Sequence, residues 1–286
     1  MANRTVSAWT YASRWPAPAK LNLFLHVVGR RADGYHLLQT VFRFIDRCDS
    51  LRFAPRDDGH IVLANPLPGV APESDLCYRA ALLLRQATDC QQGVTIHLDK
   101  QLPMGGGLGG GSSDAATVLL ALNHLWQTGL TRRRLEQLGL ALGADVPVFI
   151  HGRNTFAEGV GEHFTDIDLP PASYLILVPP VNVPTAAIFT APELPRATPP
   201  MRASDWRPGM GGNDLQGVAG ARFPVVAEHL AWLQQFSSQA MMTGSGACLF
   251  APFASRAEAE RVLVGLPAGM AGWVADGLAA HPLANL

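Results

Sequence analysis

The sequence contains little lysine and no block of like charge. Only two of its 22 basic residues are lysines, Lys20 and Lys100, and the formal net charge is −1. Without a basic patch, the chain lacks the electrostatic footprint of a nucleic-acid-binding protein. It also lacks an uninterrupted apolar run of about 18 residues, so no transmembrane helix is predicted. We therefore expect neither a nucleic-acid partner nor a membrane partner.

Metal-binding and disulfide patterns are missing too. The four cysteines are scattered without a C-x-x-C pair, and the nine histidines show no H-E-x-x-H spacing. This argues against a zinc motif and against a disulfide framework, and it is typical of a reducing compartment. We expect a cytoplasmic protein of bacterial type.

Acidic residues are absent from the first 32 positions, and residues 1–15 lack the apolar stretch of a secretory signal. This segment carries Arg4, Arg14 and several hydroxyl residues. We predict a disordered leader. The alternative is a short organelle transit segment, which would place the protein in a plastid.

The richest local feature is a glycine loop at residues 103–113, where six of eleven residues are glycine. Glycine loses much backbone entropy on ordering and buries no side chain, so a packed core does not need such a run. The alternating stretch 94–98 before it predicts a strand. The apolar run after it predicts a helix, with Ser112 or Ser113 as N-cap. A glycine loop that opens onto a helix N-terminus indicates a phosphate site.

The loop has three alternative interpretations. A P-loop requires Gly-Lys-Ser/Thr at its end, but Ser112 follows Gly111 directly. The dinucleotide pattern is met by Gly105, Gly107 and Gly110, yet no acidic residue lies within residues 115–130. A flexible surface loop stays open as the third interpretation.

The remaining pattern predicts an α+β fold of one large or two ordinary domains. Hydrophobic residues make up 48% of the chain, enough for a sizeable core. Residues 192–208 are rich in proline, and we predict no regular structure there, only a linker or a lid. Further strands are predicted over 17–28, 39–46, 49–54, 148–158, 174–178 and 246–251. Helices are predicted over 75–88, 132–142, 224–236 and 255–264.

Two charged residues are candidates for chemistry. Lys20 shares one face of the strand 17–28 with Asn22, in a chain that otherwise uses arginine. Asp145 follows a predicted helix and precedes an apolar segment. Near a phosphate loop, such a carboxylate could take a proton from a hydroxyl, and the ammonium could stabilise transferred phosphate. The alternatives are a strand lysine that reaches solvent and an aspartate that caps a turn. Residues 242–247 form a second small-residue loop, which is either a phosphate contact or a plain turn.

Taken together, these segments resemble the GHMP small-molecule kinase family. The resemblance rests on Ala19–Leu25, Arg31–His36, PMGGGLGGGSSDAA (103–116), GADVPVF (143–149), VPTAAIF (183–189), GND (212–214) and TGSGAC (243–248). It covers about residues 16 to 253. Within the family, the chain is similar to members that phosphorylate a cytidine diphosphate polyol. Residue Gln216 departs from the family, which tends to have Glu after Asp-Leu.

The resemblance implies a two-domain GHMP kinase fold. The N-terminal ATP-binding domain, ribosomal protein S5 domain 2-like, would span 16–160, and a ferredoxin-like α/β sandwich would span 161–286. Asp145 would be the catalytic base and Lys20 its partner, with ATP and Mg²⁺ as cofactors and Ser112 as the candidate metal ligand. The implied ATP-binding residues are Pro103, Met104, Gly105, Gly106, Gly107, Leu108, Gly109, Gly110, Gly111, Ser112, Ser113 and Thr243.

The resemblance also implies a substrate pocket. Tyr35 and Phe189 would sandwich a cytosine ring, and His36 would hydrogen-bond its edge. Asn22 would sit beside the reacting hydroxyl, and Thr185 near the substrate. A monomer or a homodimer is expected. The rival functions are another kinase of the family, acting on homoserine, mevalonate or a sugar, an NAD-dependent oxidoreductase, and a nucleotide sensor without turnover.

Overall fold

The computed structural model describes residues 9–32 and 34–286. Within these ranges the strands are β1 Trp15–Arg30, β2 His36–Arg56, β3 Ile61–Leu63, β4 Gly93–Asp99, β5 Thr155–Glu158, β6 His163–Asp166, β7 Ser173–Leu177, β8 Met241–Met242, β9 Leu249–Phe253 and β10 Gly272–Asp276. The α-helices are α1 Leu76–Thr88, α2 Gly110–Leu125, α3 Arg132–Leu140, α4 Val146–His151, α5 Thr185–Phe189, α6 Asp214–Arg222, α7 Pro224–Leu233 and α8 Arg256–Val264, and a 3-10 helix covers Pro72–Ser74.

The first sheet is built around the long strand β2. It has the order β3-β4-β2-β5-β6, with β1 also paired to β2, and only the β3–β4 pair is parallel. Helices α1 to α4 pack on it through a large apolar cluster. A mostly antiparallel sheet is not the doubly wound parallel sheet of dinucleotide-binding folds, so the oxidoreductase interpretation loses its structural basis.

The second sheet has the order β10-β7-β9-β8 and is antiparallel throughout. Helices α6, α7 and α8 contribute to its apolar cluster. A third cluster joins the two halves, with Leu21 and Ile45 of the first sheet against Ile176 and Phe250 of the second. The α+β class and the two-part architecture are thus as predicted, and the cleft described below lies where the halves meet.

Most of the predicted helices and strands are present, and four predictions need correction. The two strands 39–46 and 49–54 are one bent strand, β2, because a register shift opposite Pro18 and Ala19 lets it continue. The predicted strand 246–251 begins only at Leu249. The predicted N-cap serines lie inside α2, which starts at Gly110 after a left-handed Gly109.

The fourth correction concerns the predicted strand 148–158. Its first part is the helix α4, and only Thr155–Glu158 is a strand. Pro147 lies in the first turn of α4, where its missing N–H costs nothing. A short apolar run suits a buried strand or a buried helix equally, so periodicity could not separate them.

The proline-rich segment 192–208 contains neither helix nor strand, as predicted. It is nevertheless packed on the first sheet. The side chain of Gln39 exchanges two hydrogen bonds of 2.9 Å with the backbone of Met201, and Trp206 is buried against Phe24. The segment is therefore held on the sheet at positions 201 and 206.

The predicted end of the leader and the predicted domain boundary can each be compared with the structure. Residues 1–8 of the predicted leader lie outside the described residues, whereas Trp9 packs on Trp15 with ring centroids 4.9 Å apart. The predicted boundary between residues 160 and 161 falls inside the hairpin of β5 and β6. In the described part of the chain, no helix is long and apolar enough to cross a membrane.

Candidate active site

The glycine loop connects β4 to α2 and forms one wall of a cleft of about 580 Å³. Residues 103–112 all line this cleft. Gly105, Gly107 and Gly109 have φ between +68° and +75°, a region that side chains with a Cβ rarely adopt. These left-handed glycines let the loop bend sharply and lead directly into the N-terminus of α2. The unpaired N–H groups there favour an anion.

The second small-residue loop packs directly against the first. The Cys248 N–H donates to the Gly106 oxygen at 3.1 Å. A Cβ on Gly106 would lie 2.6 Å from the Cys248 sulfur, and one on Gly107 would collide with the Thr243 oxygen. These glycines are therefore required for the contact between the two loops, and residues 242–247 are not an isolated turn.

Lys20 is buried beneath the glycine loop and does not reach solvent. Its side chain is 2% exposed, and its ammonium lies 3.3 Å from a carboxylate oxygen of Asp145. The same ammonium donates to Asn22 Oδ1 at 2.5 Å and to the Gly107 oxygen at 2.9 Å. Three acceptors surround the charge, which is what a buried ammonium needs.

Asp145 is placed at the start of α4, but its carboxylate does not cap the helix. The side chain is 37% exposed and lines the cleft. Because the carboxylate makes no capping hydrogen bond to the helix, it can face both the Lys20 ammonium and a ligand. The structure thus brings together the two residues that the sequence analysis selected 125 positions apart.

Asn22 and Thr243 complete the buried polar network. The Asn22 backbone N–H donates to Thr243 Oγ1 at 3.0 Å, and its amide donates to Thr40 Oγ1 at 2.9 Å. Thr243 Oγ1 also lies 3.3 Å from the Gly107 oxygen. Both residues are at most 2% exposed. This network fixes β1, the glycine loop and the second loop relative to one another.

The substrate-pocket residues are only partly assembled. Thr185 and Phe189, at the two ends of α5, line the cleft, and Thr185 Oγ1 lies 2.8 Å from Ser245 Oγ. Tyr35 and His36 are not among the described residues that line it. The His36 ring lies 5.2 Å from the Phe189 ring, and Tyr35 is 65% exposed.

His36 is held in a cationic environment. Arg196 Nε donates to His36 Nε2 at 3.3 Å. Burial, followed by the charges of Arg196 and Arg30, lowers the pKa of His36 below its ordinary value. His36 is therefore a neutral imidazole at neutral pH, able to accept or donate a hydrogen bond without adding charge.

The structure also contains a buried ion cluster at this cleft, formed by Lys100, Asp49 and Asp114, which was not predicted from the sequence. Lys100 donates to Asp49 and to Asp114, both at 2.6 Å. Asp49 also accepts from the backbone N–H groups of Gln101 and Leu102, at 2.6 and 2.7 Å. The cluster ties the residues just before the glycine loop to α2 at Asp114. The only signal in the sequence was the rarity of lysine, which pointed to Lys20 and Lys100 alike.

Burial raises the pKa of Asp114 to about 7, against the opposing effect of the Lys100 ammonium. One carboxylate oxygen of Asp114 has no hydrogen-bond partner among the described atoms, and neither has the Ser113 hydroxyl. The part of the chain that the structure describes contains no group of three His, Cys, Asp or Glu residues placed to hold a metal. Any divalent ion in this cleft would have to take most of its ligands from phosphate and water.

Comparison with known proteins identifies the family. Residues 75–153 match the family described as "GHMP kinases N terminal domain", and residues 200–272 match "GHMP kinases C terminal". The 4-diphosphocytidyl-2-C-methyl-D-erythritol kinase of Dechloromonas aromatica is 74% identical over 95% of this chain and 99% of its own length. The chain belongs to the GHMP kinase family. The enzyme of the same name from Thiobacillus denitrificans is 61% identical over 94% of this chain and 96% of its own length.

Solved structures agree with this assignment. A crystal structure of 4-(cytidine 5'-diphospho)-2C-methyl-D-erythritol kinase has 34% identity and a TM-score of 0.80, covering 93% of this chain and 99% of its own. A mevalonate kinase structure shares the fold at 14% identity, with a TM-score of 0.65 over 93% of this chain and 99% of its own. The two-domain GHMP kinase fold is therefore confirmed.

Proposed function

We propose that the chain is an ATP-dependent kinase that phosphorylates the 2-hydroxyl of 4-diphosphocytidyl-2-C-methyl-D-erythritol. The products are the 2-phosphate and ADP, and the reaction belongs to the non-mevalonate route to isoprenoid precursors. The observation that carries this proposal is the 74% identity, over almost the whole chain, to a kinase of that name. The geometry of Lys20, Asp145 and the glycine loop supplies the chemistry that such a reaction needs.

The chemical step uses the charged pair at the base of the cleft. Asp145 accepts the proton of the substrate hydroxyl as that oxygen forms a bond to the γ-phosphorus of ATP. The bond between the γ-phosphorus and the β–γ bridging oxygen breaks, and ADP leaves with the electron pair. Lys20 orients Asp145 and stabilises the negative charge on the transferred group. A tertiary hydroxyl is a poor nucleophile, so positioning contributes as much as deprotonation.

The phosphates of ATP fit the glycine loop, residues 103–113, with Thr243 close by on the second loop. The N–H groups of the loop and of the first turn of α2 supply donors without a competing side chain. Mg²⁺ would enter with the nucleotide and neutralise charge on its phosphates, with the Ser112 hydroxyl as the protein ligand. Ser112 suits this role because it lines the cleft in the first turn of α2.

The cytidine group fits the opposite end of the cleft, near Phe189. Tyr35 and Phe189 would stack on the two faces of the base, and His36 would bind its edge. Asn22 would lie beside the reacting hydroxyl, where its amide is already fixed by Thr40. Thr185, which also lines the cleft, would contact the substrate.

We further propose a cytoplasmic location. The two relatives compared above are bacterial proteins, and the four cysteines are unpaired thiols, as expected in a reducing compartment. A monomer or a homodimer stays the expectation for the assembly.

ADP release tests this proposal. The purified protein with MgATP should release ADP only when 4-diphosphocytidyl-2-C-methyl-D-erythritol is added. Mevalonate and homoserine serve as control acceptors. Release with either control would keep the kinase fold and reject the cytidine substrate. ATP binding without release in any mixture would favour a nucleotide sensor.

A further inference from the structure

The last ten residues return from the second sheet to the first. This C-terminal tail, residues 277–286, follows β10. Its Leu278 N–H donates to the Phe44 oxygen at 2.8 Å, and its His281 N–H donates to the Gly152 oxygen at 2.9 Å. The tail is thus bonded to β2 and to the residue that ends α4, the helix that begins directly after Asp145.

Arg132 joins the tail to α4 a second time. Its guanidinium donates to the Ile150 oxygen of α4, and to the Leu283 and Ala284 oxygens of the tail at 3.0 Å each. A planar guanidinium that bonds three carbonyl oxygens fixes their relative positions. The C-terminal turn of α4 and the tail are therefore joined by one side chain.

His281 extends the contact to the catalytic pair. It is 2% exposed, and its ring meets those of Phe44 and Phe149 nearly at right angles, with centroids 5.5 and 6.5 Å away. A Cβ on Gly109 would lie 2.8 Å from the Phe149 ring and 3.2 Å from the Lys20 side chain. The tail, Phe149, the glycine loop and Lys20 are thus packed in direct succession.

We infer that the C-terminal tail is a positioning element of the active site, which holds α4 and the Phe149 ring so that Asp145 and Lys20 keep their geometry. His281 and Arg132 are the positioning residues, and neither touches the cleft. The inference rests on the proposed function. A misplacement of about 1 Å at a reacting pair can lower the rate about 10²-fold, so a distant packing contact can control kcat.

His281→Asn tests the inference in the full-length protein. Asparagine can still accept from the Leu283 N–H, which donates to His281 Nδ1 at 3.0 Å, but it lacks the ring that packs on Phe149. We expect kcat to fall about tenfold while the KM for the cytidine substrate changes less than about twofold. A kcat within twofold of the parent would overturn the inference, whatever the change in Tm.

His229→Asn is the matched control. His229 is 3% exposed in α7, and its Nδ1–H donates to the Val225 oxygen at 2.8 Å. Its other ring nitrogen, like that of His281, has no partner among the described atoms. It lies in the second half of the molecule, away from α4. This variant should lose Tm and keep kcat, and an equal loss of kcat would reduce the tail to a purely structural role.

Arg132→Lys provides the decision if His281→Asn does not fold. Lysine keeps the charge but cannot bond three carbonyl oxygens at once, so kcat should fall here too, and an unchanged kcat would count against the tail. Amide hydrogen exchange of residues 146–152 adds a readout without activity. It should accelerate in the tail variants and not in His229→Asn. If the parent released no ADP, the proposed function would fail alone, and exchange would still decide the inference.

Discussion

The two ends of the cleft differ in how far they are assembled. At the phosphate end, Lys20, Asn22 and Thr243 are buried and joined by hydrogen bonds, and the glycine loop is closed against the second loop. At the cytidine end, Tyr35 is 65% exposed and does not line the cleft. The groups that we propose for the chemistry are thus joined to one another within the cleft, whereas Tyr35, which we propose to bind the base, lies outside its lining.

The difference has a physical reason. Stabilising charge in a transition state requires donors that are already oriented, because reorientation during the reaction would cost free energy. Stacking on a base tolerates adjustment, since every base presents a flat π-face. We expect the turn that carries Tyr35 to move toward Phe189 when the cytidine substrate binds. The predictions below test each end in turn.

The largest effect is expected for Asp145→Asn, which removes the base at the phosphate end. Turnover should fall by more than about 10²-fold. The fold should survive because Lys20 keeps Asn22 and the Gly107 oxygen as partners. Steady-state kinetics with ATP and the cytidine substrate measures it, and Asp58→Asn, an exposed carboxylate paired with Arg56, is the control. Full activity would remove Asp145 from the mechanism.

Gly107→Ala should break the closure of the two loops. The residue has φ +75°, and its new Cβ would collide with the Thr243 oxygen. We expect the KM for ATP to rise about tenfold or more, because a displacement of about 1 Å would point the N–H groups of the loop away from the phosphates. Gly129→Ala is matched, with φ +70° and no atom within 4 Å of the new Cβ. It should cost about 1 kcal/mol of stability and leave the KM unchanged. Equal KM values for the two variants would contradict the loop assignment.

Tyr35→Ala probes the cytidine end. Loss of one stacking face should raise the KM for the cytidine substrate about tenfold, consistent with roughly 1–3 kcal/mol per stacked base. The KM for ATP should stay the same, because Tyr35 lies outside the phosphate network. Phe189→Ala should behave alike. If only the KM for ATP moved, the stacking role would be wrong.

The smallest expected effects are changes in the free energy of unfolding with pH. The first comes from His281 of the C-terminal tail. Burial, followed by the Arg132 charge, lowers the pKa of His281 from 6.5 to about 3. Between these values the unfolded chain binds the proton and the folded chain does not. The free energy of unfolding should therefore fall with acidification below pH 6.5, by up to about 1.4 kcal/mol per pH unit from this group. Urea unfolding of parent and His281→Asn at pH 6.5 and 5 compares the slopes, and identical slopes would contradict the burial of a neutral His281.

His151 should show the opposite sign. Its hydrogen bond to Glu136, followed by that to Asp166, raises its pKa above the ordinary value despite burial. Its stabilising contribution is complete below pH 6.5 and is lost as the pH rises through the folded pKa. In the same urea series extended to pH 8, the free energy of unfolding of the parent should decline as the pH rises. This decline should be smaller in His151→Asn. An unchanged decline would exclude the cluster as its source.

The sequence could predict what is local. The six glycines within residues 105–111 carry their own conformational signal, and the rarity of lysine pointed to Lys20. The pairing of Lys100 with Asp49 joins residues 51 positions apart, and its carboxylate sits within a strand without any motif. The packing of the tail on Phe149 was missed for the same reason, since no sequence pattern around His281 indicates a contact with Phe149. The strand predicted at 148–158 was wrong in its first part, because the apolar run that forms α4 is too short for its pattern to distinguish a buried helix from a buried strand.

Phosphorus NMR of the parent reaction tests the central claim most directly. With MgATP and 4-diphosphocytidyl-2-C-methyl-D-erythritol, the γ-phosphate signal of ATP should decline as signals of ADP and of one new phosphate monoester grow together. The monoester should be absent with mevalonate or homoserine. A monoester on either control, or loss of the γ-phosphate to inorganic phosphate alone, would contradict the account.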